Sequence, residues 1–149
     1  MHIRKARSTE AEELSTLALL SKAYWGYTQE QLDSWREDLR ITPAYLRQHT
    51  VYVGEVQEKL IGFYAYCSLS ESSAELDFLF VSPTAIGKGY GQRLLQHCLH
   101  NLQQLDYQTV ELLADPHAAS FYTKNGFTTV ALTPSSIPGR QLPKMTCNL

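Results

Sequence analysis

The chain has 149 residues, 44% of them hydrophobic, and a formal net charge of −2. This length and composition suit one domain with a buried core, and the lack of a basic excess argues against nucleic acid as the main partner. No apolar run reaches the length of a membrane helix, and the N-terminal segment becomes acidic where a secretory signal would become apolar. Cys67, Cys98 and Cys147 lack metal-ligand spacing, so we expect reduced thiols, no metal site and a cytoplasmic location.

The first part of the chain predicts an edge strand followed by three helices. The strand covers residues 2–6. Two capping boxes, each a threonine followed three residues later by Glu or Gln, predict the starts of two helices. They are Thr9 with Glu12 and Thr28 with Gln31. The first predicted helix ends near Lys22, and the second keeps apolar residues at helical spacing as far as Leu39. Thr42 and Pro43 predict the start of a short third helix.

The rest of the chain predicts a mixed sheet. The expected strands are 51–56, 60–69, 74–81, 109–114, 127–132 and 142–147. Short turns join the first three of these into an antiparallel meander. A long helix ending near Leu105 separates 74–81 from 109–114, so these two strands should pair in parallel. A further helix over 118–124 leads to a closing hairpin, whose loop over 133–140 we expect to be mobile.

Three alternate glycines, Gly87, Gly89 and Gly91, directly open the long helix. Glycine lets the backbone approach a ligand closely, and the first N–H groups of a helix have no partner within it. The segment therefore suits a phosphate or pyrophosphate, and Lys88 adds a full cation. A dinucleotide fingerprint needs glycine where Gln92 stands, and a P-loop needs Ser or Thr where Gly89 follows Lys88. The alternative is a strand-to-helix turn without a ligand.

Two motifs resemble those of the GCN5-related N-acetyltransferases (GNAT). The first is Ile86-Gly87-Lys88-Gly89-Tyr90-Gly91, which has Ile86 where the family usually has Gln or Arg. The second is Asp115-Pro116-His117-Ala118 followed by Phe121-Tyr122-Thr123-Lys124-Asn125-Gly126-Phe127, with His117 in place of asparagine. The order of predicted elements also resembles the whole GNAT domain. The resemblance thus implies a single domain over 1–149, of α/β class (α+β type), with a mostly antiparallel sheet of about seven strands and about four helices.

The resemblance implies transfer of an acetyl group from acetyl-CoA to a primary amine, by direct attack in a ternary complex. In such domains the parallel strand pair splays at mid-sheet and admits the pantetheine arm, which then contacts strand backbone. The cofactor-binding residues implied are Leu79, Phe80, Val81, Ile86, Gly87, Lys88, Gly89, Tyr90, Gly91, His117 and Tyr122. The acceptor is a small molecule or an exposed amino group of a peptide, and a homodimer is possible.

The chemistry needs a proton donor for the leaving thiolate and an acceptor for the amine proton. Tyr122 matches the family tyrosine near the sulfur and is the expected general acid. The alternative is a packed tyrosine whose hydroxyl bonds to backbone. Glu75 matches the base of the histone-acetylating branch, and Asp77 shares its strand face unless a bulge intervenes. The alternatives are solvated carboxylates, or acceptor-binding groups with water as the base.

Trp25 and Tyr27 lie in the segment that usually walls the acceptor site in this family, where aromatic rings could hold a cation. The alternative is that Trp25 seals the core. His49, His97 and His100 lack metal-like pairing and are taken as structural. Two other functions remain open: a non-catalytic acyl-CoA-binding sensor or interaction domain, and, less favoured by the glycine spacing, a nucleotide-binding module.

Overall fold

A computed structural model describes residues 1–149 as seven strands and five helices. The strands are β1 His2–Lys5, β2 Thr50–Val56, β3 Lys59–Ser68, β4 Ser73–Val81, β5 Thr109–Leu113, β6 Thr128–Pro134 and β7 Gln141–Asn148. The helices are α1 Ala11–Ala23, α2 Gln29–Trp35, α3 Pro43–Gln48, α4 Tyr90–Gln104 and α5 Ala119–Lys124. The sheet order is β1-β2-β3-β4-β5-β7-β6. The predicted fold class is confirmed.

The chain divides into two compact units, one comprising Met1–Tyr66 with Phe78–Cys98 and the other Cys67–Asp77 with Leu99–Leu149. A single domain over the whole chain stays a prediction. In the first unit β1, β2 and β3 pair antiparallel. Adjacent strand residues point to opposite faces. Phe63 accordingly contacts the Phe78 and Phe80 rings, whereas the Tyr64 hydroxyl lies 2.8 Å from Nδ1 of His97 on α4.

The first helix begins differently from its prediction. The Glu10 carboxylate accepts hydrogen bonds from Arg4 at 2.8 and 3.0 Å and from the backbone N–H of Arg7 at 2.7 Å. Consequently α1 begins at Ala11, and the capping box predicted for Thr9 with Glu12 is wrong. The Arg4 hydrogen bonds hold the pKa of Glu10 below its usual value. Tertiary pairing with β1 therefore decides where this helix starts.

The second capping box is confirmed. Thr28 Oγ1 accepts the N–H of Gln31 at 3.1 Å, and the Gln31 side chain accepts the N–H of Thr28 at 3.0 Å. The helix ends at Trp35. Residues 36–39 form turns, so Leu39 lies outside the helix. Ser15 of α1 holds the following segment, since its hydroxyl accepts the N–H of Ile41 at 2.8 Å.

In the second unit, β4 and β5 pair in parallel as predicted. The paired positions are Ser73 with Thr109, Ala74 with Val110 and Glu75 with Glu111. The parallel ladder ends there, while β5 stays paired with β7 as far as Leu113. The buried apolar residues of this unit include Leu102, Val110, Leu112, Phe127 and Met145.

The closing hairpin is longer than predicted. Its strands pair from Thr128–Thr146 to Pro134–Gln141, so the loop shrinks from 133–140 to 135–140. The loop is internally bonded, since the N–H of Ser135 donates to the Arg140 carbonyl at 2.9 Å. Elsewhere, none of the helices combines the length and apolar character needed to cross a membrane.

Candidate functional site

The glycine segment forms a turn in front of α4 that only glycine adopts without strain. Gly87 and Gly89 have φ of +85° and +81°, and a Cβ at either position would meet no atom within 4 Å. Backbone conformation, not crowding, therefore requires glycine here. The first intrahelical bond runs from the N–H of Arg93 to the Gly89 carbonyl. The N–H groups of residues 90–92 thus have no acceptor within the helix and suit an anion.

The side chains of the segment are exposed or half-buried. Lys88 is exposed, and Ile86 and Tyr90 are half-buried. The structure therefore brings the predicted residues 86–91 together in one turn, at the positive end of a fifteen-residue helix. This arrangement can bind a phosphate group without any side chain at position 86.

Gly62 is a packing residue that the sequence did not single out. A Cβ at this position would lie 2.8 Å from the Phe80 carbonyl oxygen and 2.9 Å from Cδ1 of Leu94. Gly62 thus lets β3 approach both β4 and α4 closely. Its φ is not positive, so only the packing reveals its role.

Backbone hydrogen bonds flank β4 at both of its ends. The N–H groups of Leu69 and Ser70 both donate to the Ser73 carbonyl, at 2.8 and 3.1 Å, and the N–H of Ser82 donates to the Ile61 carbonyl at 2.7 Å. The predicted backbone contacts Leu79, Phe80 and Val81 lie in this strand and are half-buried.

Carboxylates gather at the N-terminal half of β4 and on β5. Glu75 is half-buried and Asp77 exposed. Burial, and then the charges of Glu75 and Asp77, raise the pKa of the Cys67 thiol, so both carboxylates act on one neighbour. Glu111, which sequence reasoning missed, pairs with Glu75 across the parallel ladder. Its carboxylate lies 3.6 Å from Nζ of Lys144. This acidic row can attract a cationic amine.

Tyr122 lies on α5 and is only 8% exposed. Its ring makes edge contacts with Phe121 and Phe127, with centroids 5.2 and 5.5 Å away, so packing holds the ring in place.

The turn before α5 begins at Asp115, whose carboxylate accepts the N–H of His117 at 2.9 Å. The side chain of His117 is exposed at this turn.

Arg140 is a second residue that sequence reasoning missed. Its Nη2 lies 3.2 Å from Oδ2 of Asp115, and both side chains are largely buried. The ion pair ties the loop of the closing hairpin to the turn that precedes α5. The lone arginine of a Pro- and Gly-rich loop was the only signal for it in the sequence.

The two predicted acceptor residues, Trp25 and Tyr27, have different aromatic partners. Trp25 is 40% exposed and packs edge-on against Tyr24, so it does not seal the core. Tyr27 lies edge-on to Trp35 at 4.7 Å, and Nζ of Lys22 lies 5.4 and 5.1 Å from the two ring centroids. A cation of the chain itself thus occupies that aromatic pair. No group of three or more His, Cys, Asp or Glu side chains is placed to hold a metal ion.

Residues 47–129 match the family model described as an acetyltransferase (GNAT) domain. The peptidyl-lysine N-acetyltransferase YiaC of Escherichia coli is 30% identical over 126 residues, which cover 84% of this chain and 82% of that protein. The uncharacterized N-acetyltransferase ycf52 of Pyropia yezoensis is 29% identical over 110 residues. That match covers 68% of this chain but only 63% of ycf52, so the chain spans less than two thirds of that relative.

Solved structures share the fold at lower identity. The PaiA N-acetyltransferase of Thermoplasma acidophilum, solved in complex with coenzyme A, superposes with a TM-score of 0.81 at 22% identity, over 99% of this chain and 98% of that one. A GCN5-related N-acetyltransferase from Rhodopseudomonas palustris superposes with a TM-score of 0.79 at 19% identity, over 99% and 95%. At these identities the likeness concerns the fold alone.

Proposed function

Because the chain belongs to the GNAT acetyltransferase family, we propose that it transfers an acetyl group from acetyl-CoA to a primary amine. The neutral amine nitrogen attacks the thioester carbonyl carbon within a ternary complex. An amide bond forms as the carbon–sulfur bond breaks, the amine loses a proton, and the departing thiolate takes one up. Residues 1–149 serve this reaction as one domain.

The observation that carries the proposal is the glycine turn in front of α4. Two glycines in the left-handed region expose the backbone, and the N–H groups of residues 90–92 point away from any helical acceptor. Such a turn suits the pyrophosphate of coenzyme A, and Lys88 adds a charge. Ile86 contributes no polar contact, so backbone N–H groups supply most of the binding.

The backbone of β4 is proposed to hold the pantetheine arm and the thioester. The parallel ladder between β4 and β5 ends at Glu75 and Glu111, so the later residues of β4 have no ladder partner on β5. A backbone N–H beside Leu79, Phe80 or Val81 can then hydrogen-bond the thioester oxygen, where negative charge develops during attack. The aromatic contacts of Phe80 with Phe63 and Phe78 keep this segment rigid.

Tyr122 is the proposed proton donor to the thiolate, because a phenol with an ordinary pKa of about 10 can protonate a leaving thiolate. Glu75 is the proposed base. It is less exposed than Asp77, so water screens its charge less. Asp77 and Glu111 complete an acidic row that draws in a cationic amine, and Trp25 supplies an exposed aromatic surface for the acceptor.

The acceptor is a primary amine of a small molecule or an exposed amino group of a peptide. The name of the relative YiaC specifies peptidyl-lysine for that protein. For this chain a lysine side chain is accordingly the first acceptor to test. The acidic row also suits polyamines, which carry several positive charges.

The test is release of free CoA from acetyl-CoA with a panel of primary amines. The panel contains lysine peptides, polyamines, amino acids and aminoglycosides, and mass spectrometry identifies the acetylated product. We expect amine-dependent CoA release with at least one class. If acetyl-CoA binds but no amine raises CoA release above hydrolysis, the chain is an acyl-CoA-binding sensor and not an enzyme.

A further inference from the structure

A polar cavity lies at the end of β1, apart from the glycine turn. It encloses about 280 Å³ and is lined by Lys5, Ala6, Leu46, Arg47, His49, Thr50 and Val51. These residues come from the end of β1, the end of α3 and the start of β2, all within the first unit. We name it the β1–α3 pocket.

Two basic residues with exposed side chains, Lys5 and Arg47, line this pocket without a counter-ion. Neither Lys5 nor Arg47 makes an ion pair. The contrast with Arg4, one residue earlier, is direct, because Arg4 pairs with both Glu10 and Glu55. No acidic residue lines the pocket. A bound anion would interact favourably with both charges of this lining.

Two further polar residues, His49 and Thr50, line the pocket. The His49 ring stacks on Tyr45 at 3.8 Å, and its Nδ1 lies 3.2 Å from the Tyr45 carbonyl oxygen. A carbonyl can only accept, so Nδ1 carries the proton of that hydrogen bond. Thr50 adds a hydroxyl donor. The α3 C-terminus opposes an anion, but its partial charge is smaller than the two full charges of Lys5 and Arg47.

The size of the pocket limits the ligand. A cavity of about 280 Å³ holds roughly nine waters at their liquid volume. It lies near the lower end of small-molecule sites, which begin at about 300 Å³. It therefore suits a single charged group with a few atoms around it, rather than a whole coenzyme.

We propose that the β1–α3 pocket binds an oxyanion, either a carboxylate or a phosphate group. The site is distinct from the glycine turn, since the two share no residue. The Tyr45 ring lies 5.7 Å from Phe78 of β4, so stacked rings connect the pocket with the strand that we assign to the cofactor. Two sources can supply the group: an anionic substituent of the acceptor, or a free anion.

The first experiment titrates inorganic phosphate, and separately acetate, into the CoA-saturated protein while amide NMR shifts are recorded. Bound CoA occupies the glycine turn, so shifts at Lys5, Ala6 and Thr50 report on the pocket alone. We expect saturable shifts at these amides. The double variant Lys5→Gln/Arg47→Gln should weaken binding by roughly tenfold or more, as expected for losing charge-assisted hydrogen bonds. The control Lys59→Gln/Arg40→Gln removes the same charges outside the pocket and should bind like the parent.

Absent or non-saturable shifts, or equal weakening in both double variants, would overturn the proposal. The second experiment assigns the source and rests on the proposed function. With a working acceptor, Lys5→Gln/Arg47→Gln should raise the acceptor KM only for acceptors that carry a carboxylate or phosphate. If phosphate binding is lost but no acceptor KM changes, the pocket binds a free anion. If no amine is ever acetylated, the proposed function fails while the phosphate titration still decides the pocket.

Discussion

Glu75 and Glu111 occupy facing positions at the last pair of the parallel ladder between β4 and β5. Like charges at facing positions of neighbouring strands destabilise a sheet. Lys144, 3.6 Å from the Glu111 carboxylate, offsets this for Glu111. The two glutamates therefore occupy equivalent positions in the ladder, which makes them a matched pair for testing the base.

We expect Glu75→Gln to lower kcat by roughly 10²- to 10⁴-fold, because general base catalysis contributes about that much. Affinity for acetyl-CoA should not change. Glu111→Gln removes the same charge from the facing position and should retain most of kcat, with any loss confined to the acceptor KM. The measurement is kcat at saturating acetyl-CoA with the acceptor found in the amine panel.

A large loss in Asp77→Asn, with Glu75→Gln nearly as active as the parent, would transfer the role to Asp77. If neither variant loses activity, water carries the amine proton away and both carboxylates only attract the acceptor.

Acetyl-CoA should stabilise the protein against heating, whereas ATP and NAD at equal concentration should not. At one hundred times its dissociation constant a ligand adds about 2.7 kcal/mol to the free energy of unfolding. That gain is readily seen as a rise in Tm by scanning fluorimetry. Equal stabilisation by ATP would show that the glycine turn recognises phosphates in general and would count against a coenzyme A site.

Gly89→Asp should abolish binding of acetyl-CoA, because it places a carboxylate where the pyrophosphate is expected. Gly139→Asp is the control, since Gly139 also has a positive φ, +79°, and a Cβ at this position would meet no atom within 4 Å. Both variants should lose about 1–2 kcal/mol of stability from the left-handed backbone. Only Gly89→Asp should lose the ligand in calorimetry, and Ile86→Arg should bind at least as tightly as the parent. Normal binding by Gly89→Asp would refute the pyrophosphate assignment.

The sequence predicted those features that local chemistry encodes. Positive φ at Gly87 and Gly89 follows from glycines placed between a strand and a helix. The capping box at Thr28 depends on residues within one helical turn and was also predicted correctly. The parallel pairing of β4 with β5 followed from the intervening helix. In each case a pattern within one element, or the single long helix between two strands, carried the information.

Features that depend on tertiary register were missed. Glu111 acquires its place opposite Glu75 only through the alignment of two strands. The predicted start of α1 was wrong because the Glu10 carboxylate pairs with Arg4 of β1. The Thr9–Glu12 pattern does not indicate that ion pair. The contact of Arg140 with Asp115 likewise joins distant segments. Sequence patterns predict the helices and strands, whereas the contacts of these side chains depend on how those helices and strands pack together.

Gly62→Ala should destabilise the protein, because the new methyl carbon would lie 2.8 Å from the Phe80 carbonyl, which is backbone and cannot move cheaply. Overpacking of this kind costs about 1–3 kcal/mol, and thermal unfolding should show a Tm lower by roughly 2–12 °C. Gly54→Ala is the control. Its methyl carbon would meet the flexible Met1 side chain at 2.7 Å, which can move aside. Equal losses in the two variants would mean that β4 shifts as easily as Met1.

Tyr122→Phe tests the proposed general acid. The ring is 8% exposed and packs edge-on against Phe121 and Phe127, so phenylalanine keeps the packing and the affinity for acetyl-CoA should change little. The substitution removes only the hydroxyl, and kcat should fall by roughly 10²- to 10⁴-fold. A loss confined to acetyl-CoA affinity would instead make Tyr122 a binding residue. Single-turnover kinetics must show that chemistry limits the rate, because slow product release would hide the effect. If chemistry is limiting and kcat does not change, the thiolate leaves without a proton from the protein, and Tyr122 serves only to pack α5.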